Sequence, residues 1–356
     1  MSLRARWVGW RNRRLMSPAF QARAAAFPLT RWQARREAAG LFDLVAGFVY
    51  AQTLAAVVAL KLCERLAEAP LPADALASAC DLSPQAMERL LRAAAALGLV
   101  ERLDGAWALG PRGAALLGNP GVAAMITHHR TLYADLADPV ALLRRGAGTL
   151  ADYWAYARDA APDDIAPYSA LMAASQAPVA AEVIAAAGLH RYRRLLDIGG
   201  GEGSFVRAVA AAVPGLELAL FDLPAVAVRA RGALDTAGLH RVAANGGSFL
   251  DDALPQGFDL MTLIRILHDH DDGPALTLLR NIRVALPPGG TLLIAEPMAP
   301  GRVGDAYFGF YLLAMGSGRA RTPAEIAAML REAGFTASRR LPTRMPLIAS
   351  VMTANV

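Results

Sequence analysis

Leu195-Leu196-Asp197-Ile198-Gly199-Gly200-Gly201-Glu202-Gly203-Ser204-Phe205 decides the fold of this chain of 356 residues. Leu195, Leu196 and Ile198 form the apolar run of a parallel strand covered on both faces. Gly199, Gly201 and Gly203 let the backbone turn tightly and approach a ligand without a Cβ in the way. Ser204-Phe205 then opens a helix. Such strand–loop–helix units seat nucleotide-like molecules, although glycines alone leave open a bare turn without a ligand.

Roughly 25 residues after Asp197 comes Leu218-Ala219-Leu220-Phe221-Asp222-Leu223-Pro224, a second apolar strand ending in a carboxylate suited to ribose hydroxyls. Two features favour S-adenosylmethionine over NAD. Asp197 precedes the glycines, where a carboxylate can hold a cationic amino-acid end. Glu202 stands at the helix start, where it would repel a pyrophosphate. The alternation of strand and helix continues, with strands near 194–198, 217–221, 259–264 and 290–295, a helix near 323–333 ending at Gly334, and a last strand near Ile348–Thr353. That pattern is a doubly wound α/β domain, Rossmann-like.

The strand near 259–264 runs into Ile266-Leu267-His268-Asp269-His270-Asp271-Asp272. Ligands of doubly wound sheets lie at strand ends, so His268 is a candidate general base. The histidines and aspartates also admit a metal, but alternate residues after a strand end rarely converge on one ion. Asp271 and Asp272 are equally readable as solvated acids or helix caps. The next strand ends in Glu296, a candidate to orient the histidine or simply to cap or pair in the loop.

The first half is helical. Ser83-Pro84 marks a helix start, Gly98 a stop, and Asp104-Gly105 the turn of a short hairpin, which together spell a winged helix. Its second helix carries Arg89 and Arg92 among Ala and Leu, with no side chains suited to base edges. A dimerising role is therefore favoured over DNA recognition. Leu44–Leu60 is uncharged, shorter than the roughly 20 residues of a membrane span, and is expected to be a helix buried all round at a dimer interface. Residues 121–180 carry Met125, His128, His129, Tyr133, Tyr153, Trp154, Tyr156, Tyr168 and Met172, which periodicity cannot sort into core and pocket.

Hydrophobic residues make up 55% and charged residues 19% of the chain, enough to fill two cores. Cys63 and Cys80 lack metal spacing and fit a reducing, cytoplasmic compartment. The net charge of +5 is concentrated at the start, in Arg4, Arg6, Arg11, Arg13, Arg14, Arg23, Arg31, Arg35 and Arg36, with no acid before Glu37. Trp7, Trp10, Phe20, Phe27 and Trp32 are interleaved. Such an arm suits an anionic membrane surface, a solvated or partner-wrapping tail, or superficially a transit peptide; it lacks the compact apolar core of a secretory signal. The expected division is a basic arm over 1–36, a helical winged-helix dimerisation domain over 37–180, and a cofactor domain over 181–356.

Taken together, LLDIGGGEGSF (195–205), LFDLP (220–224), GGSFLDD (246–252), ILHDHDD (266–272), LPPGGTLLIAEP (286–297) and GRARTPAEIAAMLREAGF (318–335) resemble the S-adenosylmethionine-dependent O-methyltransferases that carry an N-terminal winged-helix dimerisation domain. The resemblance implies that Asp197, Gly199 and Gly201 hold the amino-acid end of S-adenosylmethionine, Asp222 and Leu223 the ribose, and Ser248 and Phe249 the adenine. It makes His268 the base and Glu296 its orienter. Three positions depart from the family. Ser248 stands for a common Asp, Ile264 for a common Lys (so that Arg265 is a candidate substitute in the adenosine pocket), and Ala320 for a second orienting Glu. FPLTR (27–31), EAAGLFDLVAGFVY (37–50), LYADLADPVALLR (132–144) and YFGFYLLAMGSGRARTP (307–323) are similar to the carotenoid O-methyltransferases of purple photosynthetic bacteria. That implies methylation of a tertiary C-1 hydroxyl on an acyclic carotenoid, with Tyr153, Trp154, Tyr168, Met172, Phe308, Tyr311 and Met315 lining an apolar pocket, a homodimer, no metal and no nucleic acid. A bacteriochlorophyll precursor or a phenol is the alternative substrate, and a cofactor-sensing DNA regulator the alternative class.

Overall fold

A computed structural model describes residues 2–153, 162–346 and 349–356, with only the backbone described at Tyr153, at 162–172 and at Ala174. The chain falls into two compact units, Met1–Leu117 and Gly118–Val356.

The first unit contains α1 (Leu3–Leu15), α2 (Pro18–Ala26), α3 (Arg31–Ala59), α4 (Leu62–Arg65), α5 (Ala73–Ala79), α6 (Pro84–Ala96), β1 (Val100–Leu103), β2 (Ala106–Leu109) and α7 (Pro111–Leu117). The Ser83 hydroxyl accepts from the Ala86 amide at 3.2 Å with Pro84 in the first turn, as the sequence implies. Asp104 and Gly105 both take positive φ (49° and 86°), the geometry of a two-residue hairpin turn between β1 and β2. Leu62, Leu76, Met87, Leu91 and Trp107 close the core of this unit.

α3 carries the stretch expected to be buried at a dimer interface. It is a single helix, long and apolar enough to cross a membrane, yet only Thr53 and Val57 are buried. Leu44, Val45 and Phe48 are 70%, 67% and 68% exposed, so the stretch is not buried all round within the chain. α6 packs against α3, but among the described residues none covers the helix around residues 41–49. An exposed apolar surface of this kind marks an interaction site.

The second unit begins with α8 (Pro120–Asp135), α9 (Pro139–Arg145), α10 (Leu150–Tyr153) and α11 (Pro162–Ala187). The sequence groups these helices with the first domain. Their packing groups them with the second, because α8 and α11 pack on one another, α11 on the helix Ser204–Ala212 and α8 on the helix Gly309–Met315. There follow β3 (Arg194–Ile198), α12 (Ser204–Ala212), β4 (Glu217–Asp222), α13 (Pro224–Thr236), β5 (Ala243–Gly246), β6 (Leu260–Ile264), α14 (Asp272–Ala285), β7 (Thr291–Glu296), α15 (Gly309–Met315), α16 (Pro323–Glu332), β8 (Ala337–Leu341) and β9 (Ser350–Asn355). Seven strands form one sheet in the order β5-β4-β3-β6-β7-β9-β8, parallel from β5 to β7, with β9 antiparallel between β7 and β8. The order reverses beside β3, so a crevice opens at the carboxyl ends of β3 and β6, where ligands of such sheets bind. β5, short and partly exposed with Asn245 and Gly246 in it, gave no apolar run to read from the sequence. The last strand starts at Ser350; Leu347 and Ile348 lie outside the described residues.

Candidate active site

The loop after β3 is shaped by glycine. Gly199 has φ of 70°, and a Cβ there would strike the Ile266 side chain; Gly201 has φ of 55°. Only glycine holds this path without strain. Two carboxylates sit beneath it. Asp197 is 2% exposed and its Oδ1 accepts from the Thr262 hydroxyl at 2.6 Å. Asp222 is 6% exposed and accepts from the Gly201 and Leu223 amides at 2.8 and 2.7 Å. Burial pushes Asp197 up to about 7, with Thr262 opposing and Asp222 adding to the rise. It also pushes Asp222 up to about 6 against its two amide bonds. Two buried carboxylates whose ionisation is held back in one glycine cradle suit a ligand with a cation and a diol, because each donor relieves the cost of a buried charge. The ammonium and ribose of S-adenosylmethionine meet that requirement; a pyrophosphate does not. Glu202, by contrast, is paired with Arg229, so it is these two aspartates rather than Glu202 that exclude the pyrophosphate.

The Ser248 hydroxyl donates to Asp251 Oδ2 at 2.7 Å, and its amide donates to Asp252 at 2.7 Å. An exocyclic amine here would therefore meet a serine already engaged with the exposed carboxylate of Asp251. Phe249 lies edge-on to His270 with centroids 5.4 Å apart, and Asn281 holds the Phe249 carbonyl at 3.0 Å. Arg265 goes elsewhere than the adenosine pocket expected of it. It takes positive φ (62°) at the end of β6, and its guanidinium donates to Ser175 Oγ on α11 at 2.7 Å. Its charge also acts on Tyr307. A left-handed non-glycine residue at the switch point re-aims that side chain toward the helices that follow residue 120.

His268 lies in a short 3-10 turn after β6, and its side chain is 3% exposed. Its amide donates to Glu296 Oε2 at 3.0 Å, while Nδ1 lies 3.4 Å from that same oxygen and Nε2 lies 3.2 Å from Asp269 Oδ1. Burial alone would lower the imidazole pKa; Asp269 and then Glu296 outweigh it and raise it to about 9. Sequence reasoning left Asp269 among acids that cap or ligate, since nothing in the run of residues told which of them turns inward. Buried Glu296 Oε1 and His268 Nδ1 have no hydrogen-bond partner among the described residues.

A buried arginine fixes this turn. Arg321 is fully buried and donates to the Leu267 and His270 carbonyls, both at 2.7 Å, and to Asp272 at 2.8 Å. Gly318, with φ of 83°, passes so close to the turn that a Cβ would strike the His268 carbonyl. Ala320 sits between Gly318 and Arg321 and offers no carboxylate to the imidazole. Asp269 is thus the second carboxylate beside the imidazole.

The substrate-side residues divide. Phe308 packs edge-on to His268 with centroids 5.4 Å apart. It is presented by a π-helical turn, Arg302–Phe308, of the kind found at functional sites. Tyr311 and Met315, on α15, are buried with Leu132, Leu142 and Leu150. Trp154 lies outside the described residues, and the side chains of Tyr153, Tyr168 and Met172 are likewise outside them. Two pairs that periodicity did not reveal tie α8 to this wall: His129 Nε2 with Tyr307 Oη at 2.7 Å, and His128 Nε2 with Tyr311 Oη at 3.0 Å. Burial holds His129 down at about 4 and Tyr307 up at about 12, so both are neutral at physiological pH and form a half-buried polar seam beside the aromatic side chains.

Comparison with known proteins bears on this arrangement. Residues 133–336 match the family of O-methyltransferase domains and residues 42–119 that of O-methyltransferase dimerisation domains. The chain is 45% identical over 346 residues to a demethylspheroidene O-methyltransferase of Cereibacter sphaeroides, covering 94% of this chain and 91% of that one. It is 44% identical over 340 residues to one of Rhodobacter capsulatus, covering 92% and 84%. Among solved structures, human N-acetylserotonin methyltransferase in complex with SAM superposes with a TM-score of 0.74 at 26% identity, covering 91% of this chain and 97% of that one.

Proposed function

Because the chain belongs to the S-adenosylmethionine-dependent O-methyltransferases, with their dimerisation and transferase domains in order, we propose that it methylates the C-1 tertiary hydroxyl of an acyclic hydroxycarotenoid of the demethylspheroidene or hydroxyneurosporene type. The near full-length identity to two demethylspheroidene O-methyltransferases carries this reading, and Phe308, edge-on to His268, is an apolar neighbour suited to a hydrocarbon substrate.

S-adenosylmethionine, when bound, supplies an electrophilic methyl group on a sulfonium. Asp197 would hold its ammonium end, directly or through water, Gly199 and Gly201 give it room, and Asp222 would accept from the ribose. Ser248 and Phe249 would flank the adenine, with Asp251 within reach of its amine. His268 is the proposed base. A tertiary alcohol is a poor acid, so its proton leaves as the methyl arrives rather than before, and the imidazole must then lie within hydrogen-bond reach of the hydroxyl. Glu296, beside Nδ1, would orient the ring and stabilise the imidazolium that forms, while Nε2, at 3.2 Å from Asp269, would have to turn from that carboxylate to the hydroxyl to take its proton. Apolar walls exclude water and align the hydroxyl for in-line displacement, which supplies much of the rate.

The test is incubation of the purified enzyme with labelled methyl donor and a panel of hydroxycarotenoids, bacteriochlorophyll precursors and phenols, followed by mass analysis. Label in a methoxycarotenoid supports the reading. Label in a planar ring substrate alone refutes the carotenoid assignment and leaves the methyltransferase in place.

A further inference from the structure

We propose that the segment Leu3–Trp32 is a docking surface for an anionic lipid bilayer. α1 places Leu3, Trp7 and Trp10 at i, i+4 and i+7, hence on one helix face, and Trp7 and Trp10 are 55% and 53% exposed. On a wheel of 100° per residue, Arg4 and Arg11 flank that face on one side and Arg6 and Arg13 on the other. The Arg11 and Arg14 guanidinium groups lie 5.2 and 5.8 Å from the Trp7 and Trp10 ring centroids. Arg14 falls within the face itself, about 20° from Trp7, with its guanidinium over the Trp10 ring, so the face is indoles interleaved with one arginine and bordered by arginines on both edges; in a membrane interface the rings enter the headgroup boundary and the guanidinium groups reach the phosphates. Phe27 and Trp32, 54% and 61% exposed, continue the aromatic surface beyond α1.

Charge selects the occupant. All nine arginines before Glu37 are exposed, and no carboxylate lies among them. A second copy of the chain would bring the same nine charges to the contact, which like-charge repulsion disfavours. The region matched by the dimerisation family begins at residue 42, after this segment, and includes the exposed apolar residues Phe42, Leu44, Val45 and Phe48. Those fit the partner subunit, and the arm is left over. A nucleic acid would satisfy the arginines but not the apolar face, since duplex binding rests on phosphate contacts and needs no buried tryptophan. Docking is independent of which alcohol is methylated, so the vesicle assay and the substrate panel fail separately.

The experiment is sedimentation of the full-length protein with phosphatidylcholine vesicles, with and without phosphatidylglycerol. Retention is expected on the phosphatidylglycerol vesicles only, weakening as salt is raised. W7S/W10S and R4E/R6E/R11E/R13E should each weaken it by about tenfold or more, with melting temperature and donor binding unchanged. Equal retention of the tryptophan variant, or no retention of the wild type, overturns the proposal. So does loss of the dimer in W7S/W10S by light scattering, which would give the face to a second copy. Duplex DNA binding that exceeds vesicle binding and ignores the tryptophans overturns it as well.

Discussion

Replacing Glu296 by Gln isolates the electrostatics of the proposed base. His268 stands between two carboxylate oxygens at 3.2 and 3.4 Å, and its pKa lies at about 9 against an ordinary 6.5. At 1.36 kcal/mol for each pH unit, the site favours imidazolium by about 3 kcal/mol over water. A base must be neutral to accept a proton, so kcat/KM, with methyl donor saturating, should rise with pH through about 9. Gln keeps the size of Glu and can still accept from the His268 amide, but it removes one of the two charges. A neighbouring opposite charge moves a pKa by about 1–3 units, and with Asp269 remaining the ascending limb should fall by about 1–2 pH units. The plateau rate should drop by about tenfold or more, because the imidazolium formed during transfer loses one of its two neighbouring charges. Stability follows the same linkage. A histidine pKa raised by folding stabilises fully below about 6.5, and that contribution is lost as pH rises through about 9, so the melting deficit of the variant should shrink between neutral and alkaline pH. The assay is a pH profile of labelled-methyl transfer beside thermal melting at each pH. An ascending limb that stays in place in a folded, dimeric Glu296→Gln enzyme would falsify His268 as the titrating group.

Four further outcomes are expected. Asp222→Asn should weaken binding of the demethylated product by about 10–100-fold in calorimetry, the worth of charge-assisted hydrogen bonds, and unchanged affinity would dissociate Asp222 from the ribose. Affinity for that product should strengthen as pH rises through about 6 to about 7, because Asp222 and Asp197 must ionise to meet an ammonium and a diol; a flat profile between pH 5 and 8 contradicts the cradle described above. Arg321→Met should lower stability by about 3 kcal/mol, as two buried carbonyls lose their donors, and Arg321→Lys should recover little because an ammonium cannot reach Leu267, His270 and Asp272 together; denaturant titration reads both. Gly199→Ala should abolish measurable donor binding while leaving the helical unit folded, and retained binding in equilibrium dialysis would show that the loop does not need its left-handed residue.

Local sequence determined the strands, the glycine loop, the Ser83 cap and the Asp104-Gly105 hairpin. Each rests on a period or a backbone requirement confined to a few neighbouring residues. It also brought Asp197, Asp222, His268 and Glu296 forward, because carboxylates and an imidazole at the ends of buried strands have few other places to go. β5 escaped because an edge strand four residues long and holding Asn245 and Gly246 leaves no periodic trace. The remaining decisions belong to the tertiary structure. Asp269 rather than Asp271 or Asp272 faces the imidazole because Arg321, 49 residues beyond Asp272, clasps the turn and fixes its twist. Tyr307 meets His129 across 178 residues and Tyr311 meets His128 across 183, and Arg265 reaches back 90 residues to Ser175. Contacts at such separations follow from how helices pack over a sheet, and no window of neighbouring residues contains that information. The exposed face of α3 is the converse case: its composition announces burial, but only the packed chain shows that the face stays open among the described residues.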